Sequence, residues 1–277
     1  MKMKLYLNVL QLNEKIARSL AGNGMGVEIS AFSDPDLLED PLRIDKEVTR
    51  LCSLIKEFDL PVRFHGPFYD LYPASRDPSL QRAVLSRLEQ GIYLARRTGA
   101  SSMVVHPHYI YPGDNEEARK RWTERCAGLL RKLIPLMDEN GVDIQLENVR
   151  EPRPLYLTGL VERLSHPGFG ICLDTGHVHL FGIDRSQEYW LDETAPFLRA
   201  VHLNGNHGVE DEHLAFTKGG LNWGAFFSKI RELQNSFELV IEVMREEDYS
   251  ESVHALSKLG ITGETQTKPL EEKACEK

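Results

Sequence analysis

Cysteine is scarce in this sequence, with four residues among 277, and no two of them are close together. Cys52, Cys126 and Cys172 lie within predicted helices or strands, and Cys275 lies near the end of the chain. Disulfide-stabilised small domains and cysteine-type zinc sites both need cysteines at short, regular spacings. The sequence therefore argues against a disulfide framework and predicts cysteines that serve in packing.

Long apolar segments are also absent. Met1 to Lys4 lead directly into a short strand-like run and not into the apolar segment of a secretion signal. No later stretch approaches the roughly 20 apolar residues that a membrane-spanning helix needs. We expect a soluble, cytoplasmic protein without membrane contact.

An excess of basic residues is missing as well. The chain has 33 lysines and arginines against 42 aspartates and glutamates, which gives a net charge of -9. Binding to the phosphate backbone of nucleic acid depends mainly on lysine and arginine. The charge count argues against a nucleic-acid surface, although bound divalent ions would add positive charge that the count omits.

Eight short apolar runs are present, and seven of them end on a side chain that can bind a metal or transfer a proton. The first run spans Leu5 to Val9. The other seven end on Glu28, His65, His106, Glu147, Asp174, His202 and Glu242. Such runs are typical of strands buried on both faces. Successive end residues are 27 to 41 positions apart, which leaves room for a strand, a crossover helix and two loops.

Helical segments are predicted between these runs. Asp77 and Pro78 form a capping signal before a helically spaced apolar series that extends from Leu80 to Arg97. A second helical unit extends from Asp114 to the stop signal at Gly141. The alternation of strand and helix predicts an α/β protein with a single (β/α)8 TIM barrel.

One domain accounts for almost the whole chain. The barrel is expected to occupy residues 1–260, a typical length for this fold. The segment 261–277 is rich in threonine, glutamate and lysine and lacks periodicity. We expect this segment to form a disordered tail.

The polar ends of the strands are predicted to converge at the mouth of the barrel, where TIM barrels hold their active sites. Clustered carboxylates without a cation would repel one another and lose hydration. Histidine and carboxylate donors without paired cysteines suit Zn2+, Mn2+ or iron. A single histidine is more often a packed or surface residue, and it is the repetition over independent strands that favours a metal site. Glu28 is either a further ligand or a hydrogen-bonded rim residue.

Three further residues extend the set of ligand candidates. His177 lies one helical turn after Asp174, and Asp211 and His213 form an Asp-x-His pair after the seventh predicted strand. These three can hold a further ion. Tyr69 and Tyr72 follow His65 closely and can flank a ligand, although Tyr72 is equally suited to packing.

Six motifs, in this order and spacing, make the sequence resemble the xylose-isomerase-like TIM-barrel superfamily, which includes endonuclease IV and the sugar epimerases. The resemblance covers roughly Lys4 to Gly260. The motifs are His65-Gly66-Pro67-Phe68, Val105-His106-Pro107, Leu146-Glu147-Asn148, Cys172-Leu173-Asp174-Thr175-Gly176-His177, His202-Leu203-Asn204 and Asp211-Glu212-His213.

The resemblance implies different ligand sets for the two branches. In the epimerase branch, one metal is held by four residues, and the two glutamates among them exchange substrate protons; the matching residues are Glu147, Asp174, His202 and Glu242. In the endonuclease IV branch, up to three zinc ions are held by nine residues, and every one has a match; the nine are His65, His106, Glu147, Asp174, His177, His202, Asp211, His213 and Glu242.

The nine matches favour phosphodiester hydrolysis, with Glu147 and Glu242 as the catalytic residues. By the resemblance, Glu147 bridges two ions and orients or deprotonates the attacking water. Zn2+ is the expected metal, and Mn2+ is the other candidate. Asn204 is either a contact of the site or part of a structural turn.

The segment from Ser33 to Pro41 departs from the DNA-repair pattern, because it is acidic where the corresponding DNA-bending loop is basic and aromatic. We therefore expect the substrate to be a small phosphodiester or a nucleotide-bearing cofactor, with the nucleotide loop of cobamides as a lead. DNA is disfavoured as a partner. The alternatives are a sugar or sugar-phosphate isomerase or epimerase with one divalent metal, and an abasic-site endonuclease. A barrel without catalytic activity is a further alternative.

Overall fold

A computed structural model describes residues 2–111, 114–233 and 236–264. Its ten strands are β1 (Lys2–Met3), β2 (Leu5–Val9), β3 (Gly26–Ile29), β4 (Val62–His65), β5 (Ser102–Val105), β6 (Asp143–Glu147), β7 (Phe169–Asp174), β8 (Leu198–Leu203), β9 (Glu238–Ile241) and β10 (Thr262–Gly263). Strands β2 to β9 form a closed barrel in sequence order, and β9 pairs with β2. All eight neighbouring pairs are parallel. The predicted TIM barrel is confirmed.

Helices connect consecutive barrel strands and cover the outer face of the barrel. They are α1 (Glu14–Gly22), α2 (Pro35–Leu38), α3 (Pro41–Phe58), α4 (Pro78–Arg97), α5 (Glu116–Leu130), α6 (Ile134–Asn140), α7 (Leu155–Leu164), α8 (Thr175–Phe181), α9 (Gln187–Thr194), α10 (Trp223–Glu232) and α11 (Glu246–Lys258). Their apolar faces and the outward-facing strand residues form one continuous hydrophobic core. Within the described part of the chain, none of these helices is both long and apolar enough to cross a lipid bilayer.

The predicted helix boundaries hold closely for α4. Asp77 accepts hydrogen bonds from the backbone N–H groups of Ser79 and Leu80 at 2.7 and 3.2 Å, and Pro78 occupies the first turn. The second predicted unit is divided in two, because a 3-10 turn separates α5 from α6. It begins one residue later than expected, since Asn115 caps α5.

The prediction that the tail begins at residue 261 is wrong for its first four residues. Ile261 is only 1% exposed, and β10 pairs in parallel with β1 beside the barrel. The backbone N–H of Glu264 also donates to the carbonyl of Met3 at 2.9 Å. The composition of this segment is rich in threonine and did not indicate that one isoleucine is buried or that two residues pair as a strand. Residues 265–277 lie outside the described residues.

The interior of the barrel contains a charged network in addition to a small apolar cluster of Val104, Cys172 and Ala200. The guanidinium of Arg63, which is fully enclosed, forms an ion pair with Glu28 at 2.9 Å and a second ion pair with Glu238. It also donates to Gln145 Oε1 at 2.7 Å. Side chains two apart on a strand share a face, so this interior network lies directly beneath the side chains at the strand ends. Cys126 and Cys172 are buried, which agrees with a packing role, and Cys52 Sγ donates to the carbonyl of Arg97 at 3.3 Å.

Candidate metal centre

The nine predicted ligand residues lie together at the carboxyl ends of the barrel strands. Their donor atoms form three groups, of which the first two share Glu147, and in each group all donor atoms lie within 4.8 Å of one another. The groups are His65 with His106 and Glu147; Glu147 with Asp174, His202 and Glu242; and His177 with Asp211 and His213. We call them the first, second and third ligand groups.

The first ligand group contains two imidazoles that point at each other. His106 Nε2 lies 3.2 Å from His65 Nε2 and 3.2 Å from Glu147 Oε2. His65 Nδ1 lies 3.0 Å from the carbonyl of Gly66, to which it donates, so its Nε2 is left as a lone-pair donor. Phe68 stacks on His106, with ring centroids 4.8 Å apart, and fixes that ring. A cation between His65 Nε2, His106 Nε2 and Glu147 Oε2 would give each of these three atoms a partner.

The second ligand group is the most deeply buried. His202 Nδ1 lies 2.9 Å from Glu242 Oε2 and 3.4 Å from Glu147 Oε2. Neither His202 Nδ1 nor Glu242 Oε2 has a hydrogen-bond partner, although both atoms are buried. Buried polar atoms without partners are rare in folded proteins. Their convergence here is what a bound cation would explain.

The third ligand group lies nearest to solvent. His177 Nε2 is 3.1 Å from Asp211 Oδ2, and His213 Nε2 is 3.3 Å from the same oxygen. His177 Nδ1 lies 2.9 Å from the carbonyl of Asn148, which directs Nε2 toward Asp211. His213 has a positive φ of 46°, an uncommon conformation that tends to occur at functional sites. The Asp-x-His spacing thus brings the side chains of Asp211 and His213 to one point.

Glu147 is shared between the groups. Its Oε2 faces His65, His106 and His202, and its Oε1 lies 3.2 Å from His177 Nδ1. Burial alone would raise the pKa of Glu147, but the charges of His106 and His202 hold that pKa well below the usual range. The carboxylate therefore stays ionised, as a bridging ligand must.

The pKa values of Asp174 and Glu242 also depend on the charges around them. Burial and the nearby charges of Glu147 and Glu242 raise the pKa of Asp174 to about 7, despite the opposing charge of His177. Burial opposes ionisation of Glu242 too, but the neighbouring His202 lowers its pKa to about 2. The carboxylates thus depend on cationic neighbours. Five imidazoles and four carboxylates with open lone pairs form a donor set that fits divalent metal ions of the zinc type.

Glu28 differs from both sequence-based expectations. It lies inside the barrel, fully buried, and it belongs to none of the ligand groups. Its Oε2 pairs with Arg63, and its Oε1 lies 3.1 Å from His202 Nε2, on the side of the ring that faces away from the second group. Glu28 therefore supports a ligand from behind and is not a rim residue.

Two asparagines hold Asp174 in place. Asn148 accepts from the backbone N–H of Asp174 at 2.8 Å and donates to its carbonyl at 2.9 Å. Asn204 donates to Asp174 Oδ2 at 2.6 Å, so Asn204 contacts the site through a ligand. Asn148 had no predicted role, although it directly follows Glu147 in the sequence.

We predict that Gly176→Ala will disturb this arrangement. A Cβ atom at residue 176 would lie 1.8 Å from Asn204 Oδ1, so the amide must move away from Asp174. Overpacking of this kind costs about 1–3 kcal/mol of stability. Chemical denaturation and metal analysis should show a less stable protein that retains less metal. Gly128→Ala is the matched control, because nothing lies within 4 Å of its Cβ position; equal behaviour of the two variants would contradict the prediction.

A cavity of about 560 Å3 opens in front of the ligand groups. Tyr69 and Tyr72 both line it, which agrees with the prediction that they can flank a ligand. No residue of the acidic segment 33–41, all of which the structure describes, lies on its wall. Asp34 and Asp40 instead cap α2 and α3, and Glu39 pairs with Arg87. The acidity of this segment therefore serves helix capping more than repulsion at the mouth.

Comparisons with known proteins agree with the fold. The sequence profile described as a xylose isomerase-like TIM barrel matches residues 18–259. A protein of Thermus thermophilus, solved after soaking with ZnCl2, is 28% identical with a TM-score of 0.76, covering 94% of this chain and 98% of that chain. A D-tagatose 3-epimerase-like protein has the same TM-score at 21% identity, covering 92% and 96%. The second likeness concerns the fold alone.

Curated relatives match shorter parts of the chain. An uncharacterised protein of Methanocaldococcus jannaschii is 25% identical over 194 residues, which cover 68% of this chain and 66% of that protein. A Mycoplasma genitalium protein named probable endonuclease 4 is 27% identical over 173 residues, 57% of each chain. The chain thus spans less than two thirds of the length of these two relatives.

Proposed function

Because this chain belongs to the xylose isomerase-like TIM barrel family, we propose that its barrel mouth binds divalent metal ions and hydrolyses a phosphodiester. The observation that carries the proposal is the third ligand group, His177 with Asp211 and His213. A single-metal isomerase or epimerase needs only the second ligand group. A third set of histidine and carboxylate donors that converge on one point suits a site with several ions, and several ions suit phosphate chemistry.

The donor chemistry suggests which residues hold the metal. The nine residues of the three ligand groups would be the ligands, with Zn2+ as the first candidate and Mn2+ as the second. Divalent ions there would supply Lewis-acid chemistry to the attack of water on phosphorus and would neutralise the phosphate oxygens.

The protein's own residues supply position and charge. Glu147, ionised and central, would orient the attacking water and accept its proton while the bond from phosphorus to the leaving oxygen breaks. Glu242, whose Oε2 has no hydrogen-bond partner, is the second catalytic candidate. Arg150 and Arg245 line the cavity and can bind phosphate oxygens that face away from the ligand groups.

A sugar isomerase or epimerase is the second candidate, and one observation favours it. Glu147 and Glu242 both approach the same nitrogen of His202, so two carboxylates face one reaction space. Such a pair can exchange a proton at a substrate carbon. The likeness of the fold to an epimerase-like protein is compatible with this alternative. A single-metal isomerase or epimerase, however, would have no role for the third ligand group. Abasic-site cleavage shares the full ligand set but would need a DNA-binding surface.

The test is a comparison of two substrate classes with the parent protein. We expect metal-supplemented protein to release p-nitrophenolate from bis-(p-nitrophenyl) phosphate and to leave a panel of ketoses unchanged. A chelator should stop the release, and added Zn2+ or Mn2+ should restore it. Epimerisation of a ketose without cleavage of any diester would replace the hydrolase by the epimerase. Efficient incision of abasic duplex DNA at physiological salt, without turnover of small diesters, would favour the endonuclease.

A further inference from the structure

Four large apolar side chains are exposed around the cavity in front of the ligand groups. Leu10, Tyr69 and Ile110 are each 54% exposed, and Met244 is 67% exposed. All four line the cavity, and they come from the segments that follow β2, β4, β5 and β9. Binding of a ligand that covers apolar side chains at a concave site is favourable, because it removes apolar surface from water.

A series of rings connects this apolar rim to the metal ligands. The rings of Tyr69 and Phe68 have centroids 4.4 Å apart, and Phe68 stacks on His106 at 4.8 Å. Tyr72 lies beside His108 with centroids 5.5 Å apart, and His108 is 5.2 Å from His106. One wall of the cavity is therefore aromatic from the first ligand group to solvent.

Several polar side chains of the same cavity are already engaged with protein partners. Asn8 donates to Glu28 and accepts from Ser30, both at 2.8 Å. Asn13 caps α1 by accepting from the backbone N–H of Ile16, and Lys15 pairs with Glu246 at 2.6 Å. A polyhydroxylated sugar would have to compete for these groups. The wall offers more apolar contact than free hydrogen bonding.

Two cations complete the cavity wall. Arg150 and Arg245 are exposed, and neither forms an ion pair with any of the described residues. Arg150 lies over the ring of Phe181, 5.5 Å from its centroid. Guanidinium groups match the oxygens of a phosphate and remain charged at all relevant pH values. An anionic group on the ligand would thus be attracted from the open side of the cavity as well as from the ligand groups.

We infer that the substrate is a small phosphodiester that carries an aromatic, flat apolar group next to the phosphate. The cavity volume of about 560 Å3 lies within the roughly 300–1,000 Å3 typical of small-molecule sites. The phosphate in this inference rests on the proposed function, whereas the nature of its substituent rests on the cavity wall. Bases, phenols and other planar groups share the required chemistry.

Measurements of binding test the preference for an aromatic substituent independently of the reaction. We expect zinc-supplemented protein to bind diphenyl phosphate about tenfold or more tightly than dimethyl phosphate by calorimetry, because only the first ligand can cover the apolar rim. Tyr69→Ala should remove at least about a threefold part of this preference and leave dimethyl phosphate unaffected. Tyr93→Ala is the matched control, since Tyr93 is 51% exposed on α4 and does not line this cavity.

Turnover then distinguishes this inference from the proposed reaction. Phenyl p-nitrophenyl phosphate and methyl p-nitrophenyl phosphate release the same phenolate, so a higher kcat/KM for the first reports contact with the substituent. Equal affinity for diphenyl and dimethyl phosphate, or tighter binding of a ketose than of either, would overturn the inference. Tyr69-dependent binding of diphenyl phosphate without cleavage of any diester would support the aromatic group of the ligand and remove the hydrolase assignment.

Discussion

Diester turnover is expected to fall by about a thousandfold or more when Asp211→Asn is combined with His213→Asn, because a catalytic metal ion contributes several kcal/mol and about 1.4 kcal/mol corresponds to tenfold in rate. The two side chains supply the outer part of the third ligand group. Asparagine is chosen at residue 213 because it tolerates the positive φ of 46° found there. The readout is release of p-nitrophenolate under metal-supplemented conditions.

A matched control lies in the same loop. His207 and Glu212 pair with each other at 2.8 Å, and neither belongs to a ligand group. The combination of Glu212→Gln with His207→Asn changes the same kinds of side chain and should leave turnover within about a factor of two, as expected for surface changes. Full diester activity in the Asp211 and His213 variant would show that the third ligand group has no part in the reaction.

Arg63→Met is expected to cause the largest loss of stability, about 3–5 kcal/mol, because removal of one member of a buried ion pair leaves its partners uncompensated. Among the residues that the structure describes, Arg63 is the only buried lysine or arginine, and it pairs with both Glu28 and Glu238. Glu28 has His202 as a second cationic neighbour, and Glu238 has the exposed Lys4. Burial would raise the pKa of Glu28, whereas the charges of His202 and Arg63 keep this pKa well below the usual range. Without Arg63, the enclosed carboxylate of Glu28 loses part of the positive charge that stabilises its ionised form.

The measurement is chemical denaturation, with Arg163→Met as the control. Arg163 also pairs with a carboxylate, at 2.8 Å from Glu124, but this pair lies on the surface. Exposed pairs contribute little to stability, so the control should unfold at the denaturant concentration of the parent protein. An unchanged midpoint for Arg63→Met would mean that the interior network does not stabilise the barrel.

Sequence periodicity was sufficient for the architecture and for the strand-end residues. Each apolar run identified a barrel strand, and six of the seven polar end residues identified positions at the mouth, the exception being Glu28. His65, His106 and Glu147 follow one another at intervals of 41 residues yet meet within 3.4 Å, because parallel neighbours bring their carboxyl ends to the same edge. This part of the site follows from topology.

The contacts beneath and behind the ligands did not follow from the sequence. Arg63 interrupts an apolar run, but its partner Glu238 lies 175 residues away, and no local pattern specifies that pairing. Glu28 was placed at the correct strand end, yet its direction depends on Arg63 and His202. The acidic residues of the segment 33–41 resembled a repulsive surface, and only the structure shows that two of them cap helices.

The central claim, that this barrel mouth holds more than one divalent metal ion, is tested most directly by counting metal per chain. Plasma mass spectrometry on protein prepared without chelator and supplemented with Zn2+ should give more than one equivalent, approaching three. The combined Asp211→Asn and His213→Asn variant should lose about one equivalent, whereas the Glu212→Gln and His207→Asn control should lose none. A reproducible single equivalent in the parent protein, unaffected by supplementation and unchanged in both variants, would contradict the claim and favour a single-metal isomerase or epimerase.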